Sequence, residues 1–426
     1  MTISQIHKLF LENNSICTDT RKIKPNDIFF ALKGENFNGN EYANKALELG
    51  AMYSIIDEPK FNTSKKHILV EDALKTLQDL AQYHRKYLNT PIIALTGSNG
   101  KTTTKELIHC VLASKFNTTA TFGNLNNHIG VPLTLLSMDK NTQIGIIEMG
   151  ANHIGEIDFL CNIALPDYGY ITNIGKAHLE GFKSIEGVLK GKTELYRHLE
   201  KNHKLAFLNL DDNKLTKASS NLNTYSFSTS KKHSDTTITL KSISSKVEVT
   251  YKNEIIKSNL VGSYNYSNIA AAITIGDYFK IPSNKIKDAI ESYTPSNNRS
   301  QIIKKENYTI ILDAYNANPS SMEVAIDNFN NQKEESKIAF LGDMFELGTE
   351  AQTEHQKIVN QICNTTAKEI YLIGNLFFNT KSTDPRIKKF KTFEELRIEK
   401  QVKLQHNTIL IKGSRGMKLE RIVDLL

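Results

Sequence analysis

Apolar positions in this chain follow two rhythms, and their alternation gives the outline of the fold. Residues 1–85 carry short apolar runs, Asp27-Ile28-Phe29-Phe30-Ala31-Leu32 and Tyr53-Ser54-Ile55-Ile56, around a helical stretch from Glu41 to Gly50. Short β-rich runs flanking a helix predict a small α/β unit. A second helix is predicted from Asp72 to Tyr87, apolar at Leu74, Leu77, Leu80 and Ala81, leading into the next unit. A strand begins at Ile92, and further strands are predicted at Ile144–Met149, Tyr168–Ile174 and Lys204–Leu210. The helical patterns between them suit crossovers in a mostly parallel sheet. From Tyr225 to Val261 the rhythm changes to Thr237-Ile238-Thr239-Leu240, Val247-Glu248-Val249-Thr250-Tyr251 and Glu254-Ile255-Ile256, expected as antiparallel strands added to the sheet edge. After the hinge-like Pro295-Ser296-Asn297-Asn298, strands are predicted at Tyr308–Leu312, Lys337–Leu341, Glu369–Ile373 and Thr408–Ile411. Each is followed by a helix-length stretch or a polar loop, as in a Rossmann-like doubly wound unit. The predicted class is therefore α/β with three domains, 1–85, 86–298 and 299–426.

The length of 426 residues fits that division, and 39% hydrophobic with 23% charged content fits a globular protein with sizeable cores. The net charge of +7 is spread along the chain and forms no basic block; it suits anionic substrates as well as nucleic acid, or simply solubility, and no polymer-binding patch is visible, so no nucleic-acid partner is expected once the motifs below are read. Cys17, Cys110, Cys161 and Cys363 are scattered, which suggests neither disulfides nor a zinc site and fits a reducing compartment. Met1–Phe10 lacks an apolar core, so no signal peptide is expected, and no apolar run is long enough for membrane insertion.

The densest chemistry is Ile92-Ile93-Ala94-Leu95-Thr96-Gly97-Ser98-Asn99-Gly100-Lys101-Thr102-Thr103-Thr104-Lys105. An apolar strand ends in a small-residue loop that runs into Lys-Thr and a helix, which is how backbone N–H groups and a helix N-terminus cradle phosphates. Lys101 suits the β/γ oxygens and the Thr102 hydroxyl suits Mg²⁺. The loop is shorter than the standard P-loop, whose first glycine would fall at Leu95.

Other candidates lie at strand ends, where α/β folds place functional groups. Glu148 ends an apolar strand and reads as a Mg²⁺ ligand or as a structural acid capping a loop. His178 is poised between a ligand and an ordinary hydrogen-bonding histidine. Lys190 and Lys192, two apart, do not share a helix face, and spacing alone reads them as a solvated helix. The amide-rich loop Asn124-Leu125-Asn126-Asn127-His128 either binds a polar substrate or forms turns. Asp313 and the loops Asp313–Pro319, Gly342–Gly348 and Lys412–Gly416 follow three C-terminal strands and together suggest a ligand-binding edge.

Taken together these motifs, in order along the whole chain, resemble the Mur ligase family. The short phosphate loop resembles that family's own. So do Glu148-Met149-Gly150-Ala151-Asn152, Thr172-Asn173-Ile174-Gly175 with Ala177-His178, and Lys412-Gly413-Ser414-Arg415. Asp313 with Tyr315-Asn316-Ala317-Asn318-Pro319, and Leu341-Gly342-Asp343-Met344 with Glu346-Leu347-Gly348, resemble the branch that joins D-alanyl-D-alanine to UDP-N-acetylmuramoyl-tripeptide. The Asp-Asn-Pro-Arg loop of a sister branch is missing.

The resemblance implies an N-terminal UDP-sugar domain, a central ATP domain and a C-terminal Rossmann-like domain. It implies that Gly97, Ser98, Asn99, Gly100, Lys101, Thr102 and Thr103 hold ATP, with Asn265, Asn268, Arg299 and Asp313 on the rest of the nucleotide. Thr102 and Glu148 would bind Mg²⁺ and His178 a second Mg²⁺. Lys192 would be carbamylated, which overrides the reading from spacing. Catalysis would rest on Lys101, Glu148, His178 and Lys192. Thr18, Asp19, Thr20 and Arg21 would take the UDP end, with Asn126, Asn127, Asn316, Asn318 and Arg415 toward the substrates. A cytoplasmic monomer in peptidoglycan precursor synthesis is expected. Two departures are visible: Tyr264 stands where the family often has His, and Asn38-Gly39-Asn40 where Asp-Gly-His is common. The alternatives are a sister ligase adding one amino acid, a folylpolyglutamate-synthase-like enzyme, and an ATPase that makes no covalent product.

Overall fold

The computed structural model describes every residue except 14, 231–232, 244–245, 333–335 and 400–406. Three large sheets follow one another along the chain. Strands Ile16–Cys17, Ile28–Phe30, Tyr53–Ile56 and His67–Leu69 pair in parallel in that order. The helix Ile3–Asn13 buries Ile6 and Phe10 against the helix Ala73–Leu88, whose Asp72 cap accepts from Lys75 N. Apolar residues three and four apart, Leu77, Leu80 and Ala81, give that helix its buried stripe.

The central sheet has nine strands. Ile92–Thr96 lies between Ile144–Glu148 and Tyr168–Ile171, all parallel and buried on both faces. The first two read as unbroken apolar runs because helices cover both sides. One correction concerns the far edge. Asn223–Ser228 pairs in parallel with both Leu205–Asn209 and Thr236–Ser242, so the antiparallel part begins only where Thr236–Ser242 meets Glu248–Tyr251.

The C-terminal sheet has six strands, with Tyr308–Asp313, Asn407–Lys412 and Ser336–Gly342 side by side at its centre. Its two edge strands, Gln301–Lys305 and Ile387–Phe390, were not foreseen. The expected α/β class with a mostly parallel central sheet and a Rossmann-like C-terminal unit is the architecture observed. Among the described residues no helix is long and apolar enough to cross a membrane.

Candidate active site

The central strand order decides what meets the phosphate loop. Because Ile92–Thr96 is flanked by Ile144–Glu148 and Tyr168–Ile171, the loops after all three strands converge at one sheet edge. Gly97 has φ 143°, and a Cβ there would lie 2.0 Å from Thr172 Oγ1; Gly100 has φ 79°, and a Cβ there would lie 2.6 Å from Asn268 Oδ1. Only glycine fits either place. The loop is stitched to its neighbour: Ser98 N donates to Asn173 O (3.0 Å), Asn99 N to Asn173 Oδ1 (3.1 Å), and Thr172 Oγ1 to Asn99 O (2.6 Å). Lys101 Nζ donates to Gly97 O at 2.7 Å, and burial lowers its pKa.

Two oxygens beside this loop have no partner among the described residues. They are Thr102 Oγ1 and Glu148 Oε2, both buried. The other Glu148 oxygen accepts from Asn126 Nδ2 at 2.8 Å, so Asn126 orients the carboxylate. Two unsatisfied hard oxygen donors beside a phosphate cradle suit Mg²⁺, which takes a few protein oxygens and leaves the rest to phosphates and water.

Lys192 ends the helix Ile185–Lys192 fully buried, while Lys190 is exposed, so the two do part faces. The solvated-helix reading fails for Lys192 alone. Its Nζ donates to Ala151 O (3.0 Å) and lies 5.2 Å from the Phe182 ring centroid, with no carboxylate paired to it among the described residues. Burial, reinforced by the Lys101 charge, pushes its pKa well below the ordinary lysine value. His178 sits at φ 51° with Nδ1 2.5 Å from Glu346 Oε2, out of line for a hydrogen bond. Its ring thus faces a carboxylate from the C-terminal sheet.

The phosphate loop, Glu148 and His178 border a cavity of about 730 Å³ shared by the central and C-terminal units, whereas Thr102 and Lys192 lie behind its lining. From the central side come Ser98, Asn99, Gly100, Lys101, Thr103, Asn126, Asn127, Glu148, His178, Asn265 and Asn268; from the other come Arg299, Asp313, Asn316, Asn318 and Lys412. Asn265 and Asn268 are buried and largely engaged: Asn265 Nδ2 donates to Val261 O, Asn268 Nδ2 to Asn265 Oδ1, and Thr104 Oγ1 to Asn268 Oδ1. Asp313 and Lys412 end paired parallel strands in register, and the lysine holds the carboxylate. Arg299 stacks on Tyr315 at 3.8 Å, and Arg415, paired with Glu420, lies over the same ring at 5.7 Å. Asn127 Oδ1 accepts from Ile129 N and Gly130 N just before the helix Gly130–Leu136, and Asn316 Oδ1 accepts from Ala317 N.

Thr18, Asp19, Thr20 and Arg21 do not line this cavity. They stand on the N-terminal unit, where Asp19 grips the exposed Arg21 through two oxygens. The two departures are accommodated. Tyr264 is half-buried with its Oη 2.6 Å from Ser300 Oγ, and the buried Asn40 bonds both Asn38 and Asp57.

Sequence reasoning missed the contacts that close the cleft. Lys176 N donates to Ser320 Oγ (2.9 Å), Lys176 Nζ pairs with Glu354 (2.9 Å), Glu180 N donates to Glu346 O (3.1 Å), and Asn318 Nδ2 donates to Asn99 Oδ1 (2.8 Å). The Gly342–Gly348 motif was visible, but not that its Glu346 would cross the cleft at φ 64°.

The site has counterparts in known proteins. Residues 13–85 match the profile Mur ligase family, catalytic domain; 95–276 match Mur ligase middle domain; 298–415 match Mur ligase, glutamate ligase domain. The UDP-N-acetylmuramoyl-tripeptide–D-alanyl-D-alanine ligase of Buchnera aphidicola subsp. Baizongia pistaciae is 38% identical, with 97% of this chain and 92% of that protein covered. The ligase of the same name from Bacillus subtilis is 36% identical, with 97% and 93% covered. The crystal structure of MurF from Acinetobacter baumannii superposes with a TM-score of 0.85 at 30% identity, covering 96% of this chain and 93% of that one. MurF from Thermotoga maritima in complex with ADP gives 0.83 at 26%, with 97% of each chain covered. A phosphate loop of non-standard length, facing a C-terminal Rossmann-like sheet within a chain matched end to end, makes this protein a member of the Mur ligase family.

Proposed function

We infer that the chain is an ATP-dependent, ADP-forming ligase that adds D-alanyl-D-alanine to UDP-N-acetylmuramoyl-tripeptide. The observation that carries this reading is the likeness, over almost the full length, to ligases of that name. The sister-ligase alternative is not favoured by those relatives. The folylpolyglutamate synthase of Thermotoga maritima, at 12% identity and a TM-score of 0.59, shares the fold alone. A cytoplasmic site of action and service in peptidoglycan precursor synthesis follow from the reaction.

In this reaction the tripeptide carboxylate attacks the γ-phosphorus of ATP and ADP leaves. The amine of the dipeptide then attacks the acyl phosphate and inorganic phosphate departs. The phosphate loop and Lys101 hold the β- and γ-oxygens, so positioning and electrostatics supply most of the rate. Thr102 and Glu148 would hold Mg²⁺, which neutralises charge on the phosphates, and His178 stands where it would face a second ion. Asp313, held by Lys412, suits the nucleotide ribose, and Arg299 with Tyr315 flanks the same end. Thr18–Arg21 would take the UDP group. Asn126, Asn127 and Asn316, which line the cavity, and Arg415, which does not, would face the peptide substrates.

Lys192 fits carbamylation by CO₂. The reaction needs a neutral amine, and burial without a paired carboxylate favours that form. The carbamate would place an anion beside the metal site.

The test is phosphate release from Mg·ATP with UDP-N-acetylmuramoyl-tripeptide, with and without D-alanyl-D-alanine, and the product mass. Release that requires both substrates and yields the pentapeptide is expected; turnover indifferent to both would remove the ligase reading. Lys192→Met is expected to lower kcat by ~10²–10³, the scale of losing one preorganised charge, without loss of folding stability.

A further inference from the structure

The bond between Asn318 and Asn99 joins a helix cap to the phosphate loop across the cleft. Asn318 caps the helix Pro319–Asn330: its Oδ1 accepts from Ser321 N at 2.9 Å, and its backbone N donates to Ser321 Oγ at 3.1 Å. That use of Oδ1 settles which end of the amide points away. Nδ2 faces Asn99 and donates to its Oδ1 at 2.8 Å.

The same logic then applies to Asn99. Its backbone is fixed by Asn173 and Thr172. Its side-chain oxygen is taken by Asn318, so the amide cannot turn over without losing that bond. The Nδ2 end of Asn99 donates to no protein group among the described hydrogen bonds, and Asn99 lines the cavity. An amide next to a phosphate cradle matters by its direction. With N–H₂ toward the anion it is a donor; turned over, it presents an oxygen and repels.

We propose that Asn318 is a positioning residue for the nucleotide: from the C-terminal unit it fixes the Asn99 amide with its N–H₂ toward the phosphates, so that cleft closure tightens nucleotide binding. The proposal rests on the nucleotide-binding part of the reading above. It moves Asn318 from contact with the peptide substrate to control of the phosphate loop. The order of donors runs from the helix N-terminus through two side chains to the ligand. Opening the cleft removes the Asn318 donor and frees the Asn99 amide to rotate.

The experiment is a double-mutant cycle read by calorimetric titration of Mg·ADP, which needs no turnover. Asn318→Ser keeps a good cap but cannot reach Asn99. Asn318→Asp keeps the cap and presents an oxygen to Asn99. In the parent protein Asn318→Ser is expected to weaken Mg·ADP about tenfold, the size of one buried hydrogen bond, and Asn318→Asp more. In an Asn99→Ala background Asn318→Ser is expected to cost less than about twofold, because the group it orients is gone, and Asn318→Asp is expected to keep only the direct repulsion between its carboxylate and the phosphates. The same factor in both backgrounds overturns the proposal, as does an unchanged Mg·ADP affinity with a raised KM for the dipeptide. Melting temperatures matching the parent confirm that the cap survives. If the parent protein binds Mg·ADP but fails to make the pentapeptide, the ligase reading fails while the cycle still decides the role of Asn318.

Discussion

The seams that join the central sheet to its two neighbours share one apolar core and differ where the C-terminal seam faces the cavity. On the N-terminal side the helix Ala73–Leu88 packs Leu77, Leu80 and Ala81 into a core shared with Val131, Leu135 and Ile157. Its polar groups are spent on buried backbone: Arg85 donates to Ala164 O and Leu165 O and pairs with Asp167, while His84 meets Met138 O. On the C-terminal side the contacts facing the cavity are hydrogen bonds and ion pairs, Asn99–Asn318, Lys176–Glu354 and His178–Glu346. Apolar contacts lose their whole burial energy when they part, whereas polar groups lining a cleft that opens exchange their partners for water at a smaller net cost. One seam is therefore built to last and the other to be made and broken during turnover, with the link around Pro295–Asn298 as hinge.

The strongest challenge to this contrast is Arg85→Met. Arg85 is 7% exposed and its loss strands two buried carbonyls beside Asp167, so about 3 kcal/mol of stability is expected to disappear. Urea unfolding measures it, and kcat of the folded protein is expected to change little. A loss below about 1 kcal/mol would deny the N-terminal seam its permanence.

Acid sharpens the same point. His7 Nε2 meets His84 Nδ1 at 3.0 Å in this seam, and burial, with the neighbouring His84, lowers the His7 pKa to about 4. Between pH 6.5 and about 4 the unfolded chain binds the proton and the folded chain resists it, so stability falls as pH drops through that window. About 1–2 kcal/mol is expected to be lost by pH 4.5, visible in the urea midpoint. His7→Phe should flatten that slope; an unchanged slope would clear the pair.

The smallest stability effect is expected at the polar seam. Lys176→Met leaves Glu354 with its second partner, Lys357, at 2.8 Å. Stability should move by less than about 1 kcal/mol, while KM for ATP or dipeptide rises several-fold because the closed form is less populated. A large stability loss with unchanged KM would show the two seams to be alike.

What the sequence disclosed follows the range of the interactions. The phosphate loop, Glu148 at its strand end and the split between Lys190 and Lys192 are local, set by strand ends and helix periodicity. The two C-terminal strands that escaped are both edge strands carrying lysines, Lys304-Lys305 and Lys388-Lys389, and charged edges read as loops. Asn99 and Asn318 are 219 positions apart, and no periodicity connects them. The burial of Lys192 depends on Phe182 and Ala151 closing over it, which spacing cannot reveal.

The crowding of Gly97 against Thr172 and of Gly100 against Asn268 has a consequence for inhibition. Neither position has room for even one added carbon. A compound that draws its affinity from the backbone of this loop would press on a surface with little freedom to vary, and single-codon escape there would sacrifice the loop itself.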